Sequence, residues 1–345
     1  MRAGISVRAA ATAVLVVGLG GCADNASGTA TGAIEGTGSV TVYSGREEEF
    51  IGPLFEQFEE ESGIELEVRY GDSAEFAATI LEEGDSSPAD VFVSQDAGSL
   101  GAVAAAGLFA PIDDEILERV DERFRSSEGL WVGASGRARV AAYNTDTLRD
   151  EDLPDSILGF TGPGWKGRIG LPPTNSSFQA FVAGMIATEG EEPTRSFLEE
   201  LVANDPKLYE DNSSTVRGIA AGEIEVGFVN HYYIYEVAAE DGDIPVANHF
   251  FSGGDPGALV NAAGAGILAT AQNPAGATEL LDYLTAEEGQ AYFAEETWEY
   301  PVVDGYEPKE DLVPLTEIES PDVDLSDLGG TLDPALKLLA EVGLL

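Results

Sequence analysis

The chain has 345 residues, 43% of them apolar, with 63 acidic residues against 17 basic ones and a net charge of −46. That length and apolar share can build two domains with proper cores, which excludes a disordered acidic protein. The charge excludes nucleic acid as a partner, and its spread along the chain describes a solvated surface rather than an acidic tail.

The first 22 residues carry Arg2 and Arg8, no acid, and an apolar run from Ala9 to Leu19. The run is too short to span a bilayer and suits a signal peptide. It ends in Leu19-Gly20-Gly21-Cys22, similar to a bacterial lipobox, and Cys22 is the only cysteine. A lipidated Cys22 leaves no free thiol or disulfide and anchors the chain outside the cell by acyl chains. Residues 23–39, small, polar and Gly-rich, read as a flexible tether.

Strands and helices then alternate. "SVTVYS" (39–44) predicts a buried strand, and "EEEFIGPLFEQFEEES" an amphipathic helix whose stripe is Phe50, Leu54, Phe55 and Phe58. Strands at 64–70 and 89–95, with a helix between, complete a β-α-β-α-β run and imply a parallel sheet. "RARVAAYN" (137–144) is a further strand. "GRIGLP", a helix from about 177, "KLYEDN", the helix "TVRGIAAG" and "EVGFVN" form a second α/β set. "ALVNAAGAGILAT" (258–270) returns to the first, helices follow, and "DPALKLLAEVGLL" closes the chain as a short helix. The expectation is a first lobe from 40–140 and 265–345 and an inserted lobe from 141–264. A cleft between them is edged by strand C-termini, where open α/β sheets bind ligands.

Enzyme motifs are missing. There is no nucleophilic cysteine besides Cys22, and the two histidines, His231 and His249, lack metal-ligand spacing. No phosphate loop or nucleophile elbow occurs. Three segments share another pattern. "PPTNSSFQAF", "LYEDNSSTVRG" and "VGFVNHYY" each place an asparagine where a strand or loop gives way to a helix. Each could simply be a cap. Together, three helix starts along one sheet edge suit a small oxyanion. Tyr232 and Tyr233 lie side by side at the third start. One could be core and the other its half-exposed neighbour, or both phenols could converge on a ligand. A phenol, with a pKa near 10, ionises at neutral pH only beside a strongly Lewis-acidic ion. Fe(III) fits, whereas zinc and copper ask for His or Cys.

The chain resembles the ferric-ion-binding periplasmic proteins (FbpA-type), the solute receptors of iron ABC importers. The resemblance rests on the stretch from "VTVYSGREEEF" to "GLFAPI", then "WVGASGRARVAAYNTDTL", "PPTNSSFQAF", "NHYYIYE" and "NHFFSGGDPGALVNAAGAGIL". It implies a two-lobed type II periplasmic-binding-protein fold, two mixed sheets flanked by helices and closing about a hinged cleft. It also implies a monomeric receptor, not an enzyme, that binds Fe(III) as a transported ligand and hands it to an ABC permease. Its only link to the membrane would be the lipid anchor.

By the same resemblance Tyr232 and Tyr233 match paired tyrosinate ligands. A synergistic carbonate or phosphate completes the coordination, held by groups matching Ser176, Ser177, Asn212 and Asn230. This chain departs from the pattern where many relatives place a histidine and it has Glu47. It also has Gln95 in place of a glutamate and Phe178 in place of a third tyrosine. Glu47 is either a carboxylate ligand or an exposed first-turn acid favoured by the helix dipole. Arg46 and Arg139 either face the anion or answer a nearby carboxylate. The alternatives are a receptor of the same fold for an oxyanion or a polyamine, and an enzyme on this fold. A phenolate would repel a lone oxyanion.

Overall fold

The computed structural model describes residues 38–306, 308, 309 and 312–345. The signal peptide, Cys22 and nearly all of the tether lie outside the described residues. No helix among the described residues is long and apolar enough to cross a membrane.

The first layer follows the predicted alternation. β1 (Ser39–Ser44), α1 (Glu48–Ser62), β2 (Glu65–Tyr70), α2 (Ser73–Glu83), β3 (Val91–Ser94), α3 (Ala97–Ala105) and the short α4 (Asp114–Leu117) lead to β4 (Val132–Asn144). β1 pairs in parallel with β2 and β3. Both β1 and β3 carry apolar residues on two covered faces, whereas β2 alternates as an edge strand does. α1 buries Ile51, Leu54, Phe55 and Phe58, an i, i+3, i+4, i+7 stripe. Phe50, expected in that stripe, points elsewhere.

The second layer comprises β5 (Ile169–Leu171), α5 (Ser176–Glu189), α6 (Glu191–Ala203), β6 (Lys207–Leu208), α7 (Asn212–Ala220), β7 (Val226–Asn230), α8 (Tyr233–Asp241) and β8 (Val246–His249). β9 (Val260–Ile267), α9 (Pro274–Thr285), α10 (Glu287–Glu295) and α11 (Leu328–Glu341) complete the chain.

The strand order is β2-β1-β3-β9-β4-β7-β5-β6, with β8 on β4. β4 belongs to both halves. Its residues Val132–Ala138 pair with β9, and Arg139–Tyr143 pair with β7. It runs five residues further toward its N-terminus than "RARVAAYN" predicts, because β9 supplies a partner for a Gly-, Ala- and Ser-rich stretch of weak intrinsic β-preference. β8, unpredicted, is held by its pairing with β4.

One core contains β1, β3, β9 and α1, and another contains β5, β7, α5 and α6. α11 departs from the expected 265–345 grouping. Its Ala335, Leu338 and Leu339 lie in the second core, while it also packs on α3. Glycines allow that contact: a Cβ on Gly329 would sit 2.3 Å from the carbonyl carbon of Gly101, so the two helix backbones touch.

Candidate metal and anion site

β7 ends at Asn230, and Tyr232 stands just before the first residue of α8, Tyr233. The residue between, His231, is held on three sides. Its backbone N–H donates to Ala138 O (3.0 Å), its Nδ1 accepts from the Ala138 N–H (3.2 Å), and its Nε2 donates to Trp298 O (2.8 Å). Its ring stacks on Tyr300 at 4.5 Å. Burial pushes the imidazole pKa down to about 4, so it is neutral. This fixes the backbone from which both phenols project.

Tyr232 and Tyr233 are stacked, with centroids 4.3 Å apart and planes at 28°, and both are buried. The packing of one core tyrosine beside a half-exposed neighbour is not present, because both rings are buried. The Tyr232 hydroxyl has no hydrogen-bond partner among the described residues. That of Tyr233 accepts a weak bond from Gln95 Nε2 (3.3 Å), and Gln95 Oε1 accepts from Ser176 Oγ (2.8 Å). Burial raises both phenol pKa values. Tyr232 and Glu47 raise that of Tyr233 further, while Arg137 opposes the rise at Tyr232. Without a cation, both are neutral phenols.

The anion candidates partly converge. Asn175 caps α5 and Asp211 caps α7. Of the three asparagines read as helix starts, only Asn175 is therefore a cap: Asn212 is the first residue of α7 and Asn230 the last of β7. Asn212 Nδ2 donates to Asn175 Oδ1 (3.0 Å) and Ser177 Oγ (3.1 Å), and its Oδ1 is buried without a partner among the described residues. Arg139 donates to Phe228 O (2.7 Å) and Asn230 Oδ1 (3.3 Å), and lies over the Phe178 and Phe181 rings. It has no carboxylate partner among the described residues, and burial pushes its pKa down to about 9. Phe178 thus supports a cation through its ring face.

Arg46 lies apart from this group. Its guanidinium makes a bidentate pair with Glu299 (2.7 and 2.8 Å), both groups being buried. Glu47 is exposed at the start of α1 and makes no capping hydrogen bond.

Three residues escape the sequence reading. Arg137 is buried, and all three of its nitrogens lack hydrogen-bond partners among the described residues; Glu299 stands 3.9 Å from its Nε. The signal for it was present: in "SGRARV" two arginines stand two apart on a strand, hence on one face, in a chain with only 17 basic residues. With Gln95, Arg139, Ser177, Asn230 and Asn261, Arg137 lines a small cavity. Glu299 is the second. The third, Glu236, accepts from Ser213 Oγ (3.2 Å), and burial and Glu47 push its pKa up to about 8. No three His, Cys, Asp or Glu side chains among the described residues form a metal-sized cluster.

Residues 86–319 match the family of bacterial extracellular solute-binding proteins. The chain is 31% identical over 309 residues to an Fe(3+)-binding periplasmic protein of Serratia marcescens, covering 89% of this chain and 90% of that one. It is 30% identical to a major ferric iron-binding protein of Neisseria meningitidis serogroup B, covering 91% and 96%. Iron-bound HitA from Pseudomonas aeruginosa superposes with a TM-score of 0.84 at 32% identity, covering 88% of this chain and 99% of that one. The mixed sheet flanked by helices is the type II periplasmic-binding-protein fold of these structures. The chain belongs to the bacterial extracellular solute-binding protein family.

Proposed function

We propose that this protein captures Fe(III) through the oxygens of Tyr232 and Tyr233, together with a small anion, for delivery to an ABC permease. The observation that carries the reading is the stacked pair of buried phenols, one of whose hydroxyls is unpartnered among the described residues. A buried hydroxyl without a partner costs about 1–3 kcal/mol, and a bound cation removes that cost. The ferric relatives support the choice of ion. The reading is tested by titrating purified protein with ferric citrate. A phenolate on Fe(III) absorbs visible light by charge transfer, so the loaded protein is expected to be orange to purple. A colourless iron complex would defeat the reading.

Carbonate or phosphate fits the site beside the phenols. Arg137 and Arg139 bring buried positive charge there, and Ser176, Ser177, Asn212 and Asn230 bring hydrogen-bonding groups. Arg46 is already neutralised by Glu299. Iron affinity is therefore expected to depend on the anion. Asn212→Ala removes two hydrogen bonds, each contributing about 0.5–1.5 kcal/mol, and is expected to weaken the apparent anion affinity at least tenfold, about 1.4 kcal/mol. Iron binding of equal strength in rigorously anion-free buffer would overturn the anion's role. A second reading, a receptor for an oxyanion alone, is favoured by the two arginines without a hydrogen-bonded carboxylate. It would show as tight anion binding with no iron uptake.

The lobes would close about β4, the strand shared by both halves. A lipid anchor at Cys22 would keep the receptor beside its permease, as a monomer. Cys22→Ala is expected to abolish acylation and release the protein with its fold intact. An unlipidated native protein with an uncut leader, seen by intact mass, would remove the anchor from the proposal.

A further inference from the structure

Phe50 sits one position off the buried stripe of α1. Its ring lies against both proposed ligands. It meets Tyr232 at 5.8 Å and Tyr233 at 6.0 Å, nearly perpendicular to each, so one ring covers the stacked pair. Its position is fixed: its carbonyl accepts from Tyr292 Oη (2.8 Å), and Arg46 lies over its ring at 5.8 Å. Phe50 also lines a surface groove of about 420 Å³, together with Glu49, Gln57, Glu236, Glu296 and Trp298. The half-buried Phe50 is thus the partition between solvent in that groove and two phenols that solvent does not reach. α1 packs in the first core and the tyrosines in another hydrophobic cluster, which Phe50 joins.

We propose that Phe50 is the gate of the iron site: it excludes water and chelators from the ion and thereby sets the rate of iron exchange. The inference rests on the ferric reading above. An apolar wall around a metal controls solvent access and the properties of any bound water, and closing a site over its ligand expels the water that would otherwise reach it. A ferric ion held by two phenolates and an anion has further coordination positions. An apolar ring beside them offers no donor and blocks an incoming one. Without the ring, water enters from the groove, and a chelator follows the same path.

The test follows iron loss from the loaded protein to excess EDTA by the decay of the phenolate band in stopped flow. Phe50→Ala is expected to speed removal at least tenfold and to shift the band as water joins the coordination sphere. Phe50→Leu, which keeps an apolar plug, is expected to stay within threefold of wild type. Thermal melting of the iron-free variants checks that both fold; if Phe50→Ala does not, Phe50→Ser replaces it at this half-buried position. A coloured wild type whose Phe50→Ala or Phe50→Ser variant loses iron within twofold of the wild-type rate overturns the gate and leaves the ferric reading standing. A wild type that takes up no iron overturns both.

Discussion

Tyr232→Phe is expected to raise the stability of the iron-free protein while abolishing tight iron binding. The hydroxyl it removes is buried and unpartnered among the described residues, so its loss relieves about 1–2 kcal/mol of desolvation cost and leaves the ring stack in place. Tyr233→Phe loses only the long bond from Gln95 and is expected to be within about 1 kcal/mol of wild type. Each substitution deletes one anionic donor, and iron affinity is expected to fall about a thousandfold or more, equivalent to about 4 kcal/mol. Gains in stability at the expense of function are common where an active site holds strained or unsatisfied groups. The pH dependence has a definite sign. Burial raises both phenol pKa values in the iron-free state, so iron bound by both phenolates would displace two protons, and affinity is expected to fall roughly a hundredfold for each unit of acidification at fixed free iron. Tyr235→Phe is the control. Tyr235 stacks on Trp298 at 6.1 Å and is expected to leave colour and affinity intact. Unchanged iron binding in the Tyr232→Phe, Tyr233→Phe double variant would sink the ferric reading.

Glu299→Gln is expected to be the most destabilising single change in the cleft, costing about 3–5 kcal/mol. Glu299 accepts both bonds from Arg46, a third from Thr297 Oγ1 (3.0 Å), and stands beside Arg137. Removing its charge leaves two buried guanidinium groups without a counter-ion. Burial by itself would raise the Glu299 carboxyl pKa, but the two arginines and Thr297 outweigh it and hold the pKa below the usual value. A depressed carboxyl pKa contributes stability that is present above the unfolded value near 4.3 and is lost as pH falls through the folded value. Wild-type urea midpoints are thus expected to drop below about pH 4, and those of Glu299→Gln to drop less. A variant within 1 kcal/mol of wild type at pH 7 would show that the pair is not what neutralises this region.

Local periodicity made much of the fold readable in advance. The α1 stripe of Leu54, Phe55 and Phe58 and the alternation of β2 are visible in a few consecutive residues. "VANH" in β8 carries no such pattern, since its extended form comes from pairing with Ala141–Asn144. The adjacent tyrosines were conspicuous because they are neighbours in the chain. Glu299 was not, because the residue it neutralises lies 253 positions away and nothing in either neighbourhood announces the other. Phe50 shows the same limit from the opposite side. It reads as one more apolar residue of an amphipathic helix, and only tertiary packing turns it toward the phenols. Of the three asparagines that stood out in the sequence, two do something other than cap a helix.

β9 lies between β3 and β4 in the sheet, although β4 and everything through β8 precede it along the chain. As the chain is synthesised, β3 therefore waits with one unpaired edge, and so does the first half of β4, until Ile267 has emerged. A sheet whose middle strand arrives late has high contact order and folds slowly. Meanwhile its open edges can recruit other chains. The topology thus postpones completion of the first half until most of the polypeptide exists. The nascent protein stays loose and chaperone-accessible over a long window.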